Sequence, residues 1–414
     1  MEEWKEYKLG ELITLNSGGT PDKNNKSYWD GDIPWISAKF MYDDYLYSSE
    51  LKISQDGLTS GSRLAPKGSI LLLTRGSGLF NRIPVCYTMR DLAYNQDVKC
   101  IESKNKELVS TEFLFYWLMG NKDSISAILE TTGIGAGKID TNRLKNVRIS
   151  LPPNEYQQIL IGFAESIMHK IEVNRRINDN LEQQAQALFK SWFVDFEPFK
   201  NGEFVESELG MIPKGWRVGQ IKDICKFENG FPFKSDTYTT NGVYKVVTIK
   251  NVQDGYLDTE GANLISDIPN RMPDFCRLNT GEVLLSLTGN VGRCSLVNED
   301  NLLLNQRVAK IKPHVESDLG YIYTLFRMPD FKERLISIAR GTAQANLSPV
   351  ETSKLSIVIP PTEIMKRYSV LSTYTYNKII CCMKESRLLA ELRDTLLPKL
   401  MSGELKVNEI EDVL

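Results

Sequence analysis

The chain repeats itself once, and this repeat constrains its fold more than any other feature of the sequence. Short markers of the first half return in the same order in the second half, at an offset of roughly 208 to 213 residues. The clearest pairs are Ile36-Ser37-Ala38-Lys39 with Val247-Thr248-Ile249-Lys250, Tyr94-Asn95-Gln96 with Leu304-Asn305-Gln306, and Ser150-Leu151-Pro152-Pro153 with Val358-Ile359-Pro360-Pro361. Chance similarity of two strand-rich regions is a poor explanation for this shared order. We therefore predict two copies of one structural unit.

Each copy ends in a Pro-Pro pair that precedes a long stretch typical of a helix, at residues 155–193 and 363–400. Residues that recur every seven positions in the first stretch are Leu160, Ile167, Asn174, Leu181 and Leu188, and a more polar set follows in the second: Tyr368, Thr375, Cys382, Leu389 and Leu396. A helix of about 38 residues is roughly 57 Å long, which is more than a compact domain of this size needs. The pattern favours a coiled-coil seam over packing inside one globular core.

The length of 414 residues leaves room for two or three domains with their own cores. We predict an α+β fold in four segments. They are a β-rich domain with helices at 1–153, a long helix at 154–200, a second β-rich domain at 201–361 and a second long helix at 362–406.

Composition excludes several classes of function. The seven cysteines contain no CxxC pair and the chain has only two histidines, so neither a disulfide framework, a metal site nor a catalytic histidine is expected. No apolar run approaches the roughly 20 residues that cross a bilayer. We expect a cytoplasmic protein with reduced thiols and no membrane partner.

Motifs of catalysis are also missing. The segment Gly133–Ile139 resembles a phosphate-binding P-loop, but Thr132 and Ile139 stand where that motif needs glycine and a hydroxyl residue. Two residues after Glu282 stands Leu284, where a metal-dependent nuclease site would need lysine. These departures predict a binding protein without catalytic residues.

Candidate DNA contacts lie in loops that recur in both copies. Between Asp56 and Asp91 the chain carries five basic residues and no acidic one, although its formal net charge is −3. Arginine pairs with guanine and amides pair with adenine, while lysine, arginine and glycine-rich loops approach phosphates. The candidates are Lys39, Arg75, Arg82, Asn95, Gln96, Lys138, Lys250, Arg293, Asn305, Gln306, Arg307 and Gln344. Structural turns or solvated loops are the alternative interpretation of these residues.

These features together resemble the specificity subunits of type I restriction–modification enzymes, over almost the whole chain. The resemblance is carried by the Pro-Pro segments and by three further stretches: Leu188–Phe196, Leu209–Trp216 and Leu396–Leu405. It implies two tandem target-recognition domains, each followed by a long helix. It also implies that the two helices pair as an antiparallel coiled coil with pseudo-twofold symmetry.

The resemblance further implies a non-catalytic subunit that reads an asymmetric, bipartite target on double-stranded DNA. Two methyltransferase subunits with S-adenosylmethionine and restriction/translocase subunits with ATP and Mg would complete the complex, and this chain would hold no cofactor. Candidate docking aromatics for the partners are Phe189, Trp192, Phe193 and Phe196. Packing of these aromatics onto the neighbouring recognition domain is the alternative.

Two other classes of function suit tandem domains on long helices. A stand-alone two-site DNA-binding regulator would bind its site tightly without methyltransferases. A pseudosymmetric protein scaffold would show no salt-dependent DNA binding at all.

Overall fold

A computed structural model describes residues 4–80, 82–133, 135–341 and 345–407. The chain divides into two compact units. The first unit is Met1–Lys170 with Leu389–Leu414, and the second unit is Ile171–Leu388. Each unit therefore contains one β-rich domain and a part of each long helix, because the core of each domain is completed by helix segments that are distant in sequence.

Among the described residues, the first unit has fourteen strands and five short α-helices before its long helix. The strands are β1 Lys5–Lys8, β2 Ile13–Ser17, β3 Ile33–Ile36, β4 Tyr45–Leu46, β5 Lys52–Ile53, β6 Arg63–Ala65, β7 Ile70–Leu73, β8 Arg75–Gly76, β9 Val85–Thr88, β10 Leu92–Tyr94, β11 Val98–Ser103, β12 Leu129–Thr131, β13 Gly137–Ile139 and β14 Arg148–Leu151. The helices are α1 Leu9–Leu12, α2 Gln55–Gly61, α3 Thr111–Gly120, α4 Lys122–Ser126 and α5 Thr141–Asn146.

The first long helix is α6 Asn154–Phe193, and the second is α10 Thr362–Ser402. Between them run β15 Phe204–Ser207, β16 Gly210–Pro213, β17 Arg217–Gln220, β18 Cys225–Asn229, β19 Tyr244–Val247, β20 Asn263–Ile265, β21 Arg277–Leu278, β22 Val283–Ser286, β23 Cys294–Leu296, β24 Leu302–Leu304, β25 Val308–Pro313 and β26 Ser356–Ile359. The helices of this region are α7 Leu319–Arg327, α8 Pro329–Ile338 and α9 Pro349–Ser353.

The sheet topology confirms the predicted repeat. Sheet order β2-β11-β7-β9 in the first unit corresponds to β18-β25-β22-β23 in the second, and β5-β3-β10-β6 corresponds to β20-β19-β24-β21. In the second sheet of each unit the central pair is parallel, β3 with β10 and β19 with β24. Each domain also has one antiparallel pair that joins an early strand to its last strand, β1 with β14 and β17 with β26.

The core of each unit lies between the sheet that contains β7 or β22 and a short apolar helix. Strand β7 is buried at all four positions, and every residue from Phe113 to Met119 of α3 is buried as well. A strand buried on both faces needs a cover on each side, and α3 supplies apolar cover for this core. In the second unit β22 is buried throughout and α7 takes the same place.

The two long helices cover the predicted stretches, and they run antiparallel within each unit. In the second unit the Asn174 Nδ2 donates to Glu385 Oε2 at 2.8 Å, and the Tyr368 hydroxyl donates to the Ala185 carbonyl at 3.3 Å. In the first unit Arg393 Nη1 lies 3.1 Å from Met168 Sδ. Nearer the start of α6, the Val407 amide donates to the Tyr156 hydroxyl at 3.2 Å.

The heptad pattern locates the seam well at the start of α6 and less well at its end. Leu160, Ile167 and Asn174 are buried, whereas Leu181 and Leu188 are only half-buried. There Ala185 and Phe189 take the buried positions, because α6 packs against the second domain as well as against α10. The described cysteines are all free thiols, and across the described ranges no helix is long and apolar enough to span a membrane.

Candidate nucleic-acid interface

A polar cavity of about 370 Å³ in the first unit, here cavity 1, collects residues from four separate stretches of the chain. Its lining residues are Ser17, Thr74, Arg75, Gln96, Asp97, Lys99, Lys138, Ile139, Asp140 and Thr141. They meet because the end of β2, the residues after β7, the turn between β10 and β11, and strand β13 lie at one edge of the domain. Three of the candidate DNA contacts, Arg75, Gln96 and Lys138, are thereby brought together.

The second unit has a corresponding cavity of about 570 Å³, here cavity 2. Its lining residues are Asn229, Leu287, Thr288, Gln306, Arg307, Asn346, Leu347, Ser348 and Pro349. Most of them stand at the repeat offset from a residue of cavity 1, as Gln306 does from Gln96 and Ser348 from Asp140. The cavity is therefore part of the repeated unit, and two more candidates, Gln306 and Arg307, lie in it.

Three cationic side chains converge in cavity 1. Arg75 and Lys138 are directly opposite each other in the antiparallel pair of β8 with β13. Lys99 lines the same cavity and its ammonium donates to the Ser17 hydroxyl. Burial lowers the pKa of Lys99, and the charge of Arg75 lowers it further, so the charges of these two side chains repel each other.

The two carboxylates of cavity 1 are engaged by other groups. The Asn95 Nδ2 donates to Asp97 Oδ2 at 3.2 Å. Asp140 caps α5, with its Oδ1 accepting from the Asn142 amide at 2.8 Å and from the Arg143 amide at 3.0 Å. The hydrogen bond from the Arg143 amide is the largest cause that lowers the pKa of Asp140, so its carboxylate is held charged at the start of the helix.

Cavity 2 places a neutral pair where cavity 1 has two cations. Thr288 and Asn346 form the antiparallel bridge that corresponds to the pairing of Arg75 with Lys138. The Thr288 hydroxyl donates to Asn346 Oδ1 at 2.9 Å. The glutamines of both cavities are exposed, and in cavity 1 Gln96 Oε1 accepts from the Thr20 hydroxyl at 2.6 Å. The two cavities thus share one amide and differ in the chemistry around it.

Several candidates in the first unit lie outside cavity 1. Lys39 is exposed and lies 3.8 Å from Glu50. Arg82 donates to the Tyr42 carbonyl at 2.8 Å. Asn95 is 7% exposed, and its amide positions Asp97 instead of facing solvent.

The remaining candidates of the second unit are also separate from cavity 2. Lys250 is exposed on a turn, and Arg293 donates to Gln253 Oε1. Asn305 is half-buried and its backbone bridges to Phe231. Gln344 lies outside the described residues.

The docking prediction for the aromatics at the end of α6 is wrong for Phe189 and Phe193. They are 2% and 7% exposed, and both rings pack against Tyr321 and Tyr368 in the core of the second unit. The other two aromatics are partly buried by neighbours in the same unit, Trp192 by Phe199 and Phe196 by Trp216. Phe189 and Phe193 therefore pack the end of α6 onto the second recognition domain, as the alternative states, and partner docking by Trp192 and Phe196 stays a prediction. The physical reason is that the last turns of α6 face α7 and α10 together.

Sequence reasoning missed Lys99 and the pair of Thr288 with Asn346. A lysine between the apolar residues Val98 and Cys100 was the available signal for Lys99. For the pair there was none, because only the sheet register shows which side chains stand opposite one another.

The family profile described as Type I restriction modification DNA specificity domain matches residues 1–183 and 213–381. The chain belongs to this family. Among its relatives, the type I restriction enzyme MjaIX specificity subunit of Methanocaldococcus jannaschii is 31% identical, over 99% of this chain and 95% of the relative. The HindI specificity subunit of Haemophilus influenzae is 23% identical, over 98% of this chain and all of the relative.

Among solved structures, the type I restriction–modification S subunit of M. genitalium aligns with a TM-score of 0.49 at 16% identity, over 96% of each chain. The family membership confirms the expectation from the sequence: this specificity subunit is a DNA sequence-recognition subunit of a type I restriction–modification system.

Proposed function

We propose that this specificity subunit reads an asymmetric, bipartite target on double-stranded DNA, with one half-site for each unit. The observation that carries the proposal is the cavity that the chain builds twice on equivalent strands and lines with unlike side chains. Equivalent backbones present their side chains to DNA in equivalent ways, so the lining decides what each unit accepts. Two unlike linings then select two unlike half-sites.

The side chains of the cavities have the chemistry of base-edge and phosphate recognition. Gln96 and Gln306 each offer an amide, which pairs with adenine through one donor and one acceptor. Arg75, Arg307 and Lys138 offer only donors, which suit guanine edges and phosphate oxygens. Hydroxyl and amide groups of Thr288 and Asn346 extend the mixed donor and acceptor set in cavity 2 alone.

The proposal assigns all catalysis to partner subunits. Two methyltransferase subunits would transfer a methyl group from S-adenosylmethionine to adenine within the target, and restriction/translocase subunits would use ATP and Mg. The support is the family and the names of the relatives, which are specificity subunits of type I restriction enzymes. This chain would select the DNA sequence at which the complex acts, and it would hold none of these cofactors.

The methyltransferase subunit would dock on an apolar face of α10 in the second unit. Val370 and Tyr374 lie one helical turn apart and are 73% and 80% exposed, and Leu371 beside them is 49% exposed. Large apolar side chains grouped on one exposed helix face are typical of protein interaction sites. This face replaces Phe189 and Phe193 as a docking candidate.

Co-purification of the methyltransferase subunit tests this docking face. We expect Val370→Ser with Tyr374→Ser to abolish co-purification while the circular dichroism of the chain stays unchanged. Tyr42→Ser, at a tyrosine that is 69% exposed in the first domain, is the matched control and should co-purify normally. Normal recovery of the methyltransferase with the double variant would refute docking at this face.

The main proposal is tested by long-read methylation sequencing of a host that expresses this chain together with the methyltransferase subunit of the same system. The control host expresses the methyltransferase alone. We expect an N6-methyladenine motif with two unlike half-sites that appears only when this chain is present. A symmetric or continuous motif, or no chain-dependent motif from a co-purifying complex, would refute the proposal.

A further inference from the structure

Three equivalent positions carry cations in cavity 1 and neutral residues in the second unit. Arg75, Lys99 and Lys138 in cavity 1 correspond to Thr288, Ala309 and Asn346 in the second unit. The sheet register supports this equivalence, since Lys99 stands opposite Ser17 on β2 and Ala309 stands opposite Asn229 on β18. At these three positions, the first unit therefore carries three cations and the second unit carries none.

The arrangement in cavity 1 is unfavourable in the free protein. Like charges directly opposite each other on an antiparallel pair destabilise the pair, and Arg75 and Lys138 are placed in this way. Lys99 is also half-buried beside them, which removes part of the solvation of its ammonium. An anion that binds between these side chains would therefore lower the free energy of the arrangement.

The two acids that line cavity 1, Asp97 and Asp140, form no ion pair with these cations. Within the described ranges, no carboxylate oxygen forms an ion pair within 4.0 Å of Arg75, Lys99 or Lys138. Asp97 accepts a hydrogen bond from the Asn95 side chain, and Asp140 accepts two backbone amides at the start of α5. Each carboxylate thus accepts its hydrogen bonds from other groups, and its charge acts on the cations only from beyond ion-pair distance: that of Asp97 raises the pKa of Lys99, and that of Lys138 lowers the pKa of Asp140.

The counterpart pair in cavity 2 is satisfied without a ligand. The Thr288 hydroxyl donates to Asn346 Oδ1 at 2.9 Å, and neither side chain is charged. Arg307 is the one cation among the residues that line cavity 2. A phosphate therefore gains much less from this position of the second unit.

We propose that Arg75, Lys99 and Lys138 form a phosphate clamp that the second unit lacks, so that the first unit provides more of the salt-dependent affinity for DNA. This inference rests on the proposed DNA-reading function and deepens it. A phosphate is favoured over a guanine edge because a charged ligand lowers the repulsion among three clustered cations more than a neutral base edge does. The second unit then contributes more through base edges, which Gln306, Thr288 and Asn346 suit.

The clamp is tested by transplanting the neutral pair of the second unit into the first, as Arg75→Thr with Lys138→Asn. The complex of the chain with its methyltransferase subunits is titrated with target duplex at several salt concentrations. We expect the slope of log K against log salt to become shallower by about one to two, since each lost phosphate contact lowers it by about one. The matched control, Lys52→Gln with Lys106→Gln, removes two exposed charges of the same domain outside cavity 1 and should leave the slope unchanged.

Two further readouts separate the clamp from other roles. Methylation sequencing should find both half-sites of the double variant unchanged, and a changed base in the first half-site with an unchanged slope would show base reading and overturn the clamp. The melting temperature of the free variant should be equal to or above that of the parent, because repulsion is removed. If the melting temperature of the double variant falls, the single variant Lys138→Gln is tested instead, and it should still make the slope shallower by about one. An unmodified complex that fails to bind duplex DNA would refute the proposed function instead.

Discussion

Arg327 joins the second recognition domain to the first long helix through two carboxylates. Its Nε lies 2.5 Å from Glu182 Oε1 on α6, and its Nη1 pairs with Asp254. Lys332 holds the other oxygen of Asp254 at 2.6 Å. The Arg327 side chain is only 11% exposed, so its charge is stabilised mainly by these partners.

We expect Arg327→Met to lower the free energy of unfolding by about 3 kcal/mol, because the Glu182 carboxylate, which is 19% exposed, loses its cation, while the more exposed Asp254 keeps Lys332. Urea denaturation of the purified chain measures this change. Arg271→Met, at an exposed arginine of the same domain, should change the free energy by less than about 0.5 kcal/mol. Equal effects of the two substitutions would contradict the role assigned to Arg327.

The same network predicts a dependence of stability on pH. Burial acts to raise the pKa of Asp254, but the charge of Arg327 and the hydrogen bond from Lys332 outweigh it, and the pKa lies below its usual value of 3.8. The carboxylate therefore contributes stability above the pKa of the unfolded chain, and this contribution is lost as the pH falls through the lower folded pKa. Asp254→Asn should be less stable than the parent at neutral pH, and the difference should shrink below about pH 4. Urea midpoints across this range measure it, with exposed Asp267→Asn as the control; a constant difference at every pH would contradict the argument.

At the scale of elements, a close approach of α7 to α10 depends on one glycine. A Cβ on Gly320 would lie 2.1 Å from Ser372 Oγ and 2.9 Å from Ser372 Cβ. One turn further along α7, the Thr324 hydroxyl hydrogen-bonds with Tyr368 at 2.9 Å and with Tyr376 at 2.5 Å. Small side chains thus allow α7 to pack directly on the second long helix.

Gly320→Ala should destabilise the second unit by about 1–3 kcal/mol, because the added methyl group overpacks this contact. Gly162→Ala is the control, since no atom lies within 4 Å of a Cβ at this exposed position of α6. Alanine there should leave stability unchanged or raise it by up to about 1 kcal/mol through helix propensity. Thermal unfolding distinguishes the two, and destabilisation by both would show that backbone flexibility, not packing, is responsible.

At the scale of the whole molecule, the duplication predicts that the two units read DNA independently. Gln96 and Gln306 occupy equivalent places in separate cavities. We expect Gln96→Ala to relax one position in one half-site and Gln306→Ala to relax one position in the other, each by about 1–3 kcal/mol of base discrimination. Methylation sequencing of both variants measures this, with exposed Gln55→Ala as the control. A single substitution that changed both half-sites would contradict independent reading.

The sequence by itself determined the duplication, the α+β class, the two long helices and the loops from which the cavities are built. It did so because hydrophobic periodicity and turn residues report local burial, which is a property of neighbouring residues. Arg75, Gln96, Lys138, Gln306 and Arg307 were found in this way, since their loops recur at the same places of both copies.

Only the tertiary structure decided which distant side chains meet. The opposition of Arg75 to Lys138, the entry of Lys99 into cavity 1 and the burial of Phe189 and Phe193 all depend on strand register and helix packing. The same packing completes each domain core with helix segments from distant parts of the chain. Strand register and helix packing depend on the free energy of the assembled core. A local pattern of residues does not determine this free energy, because it depends on contacts between residues that are distant in sequence.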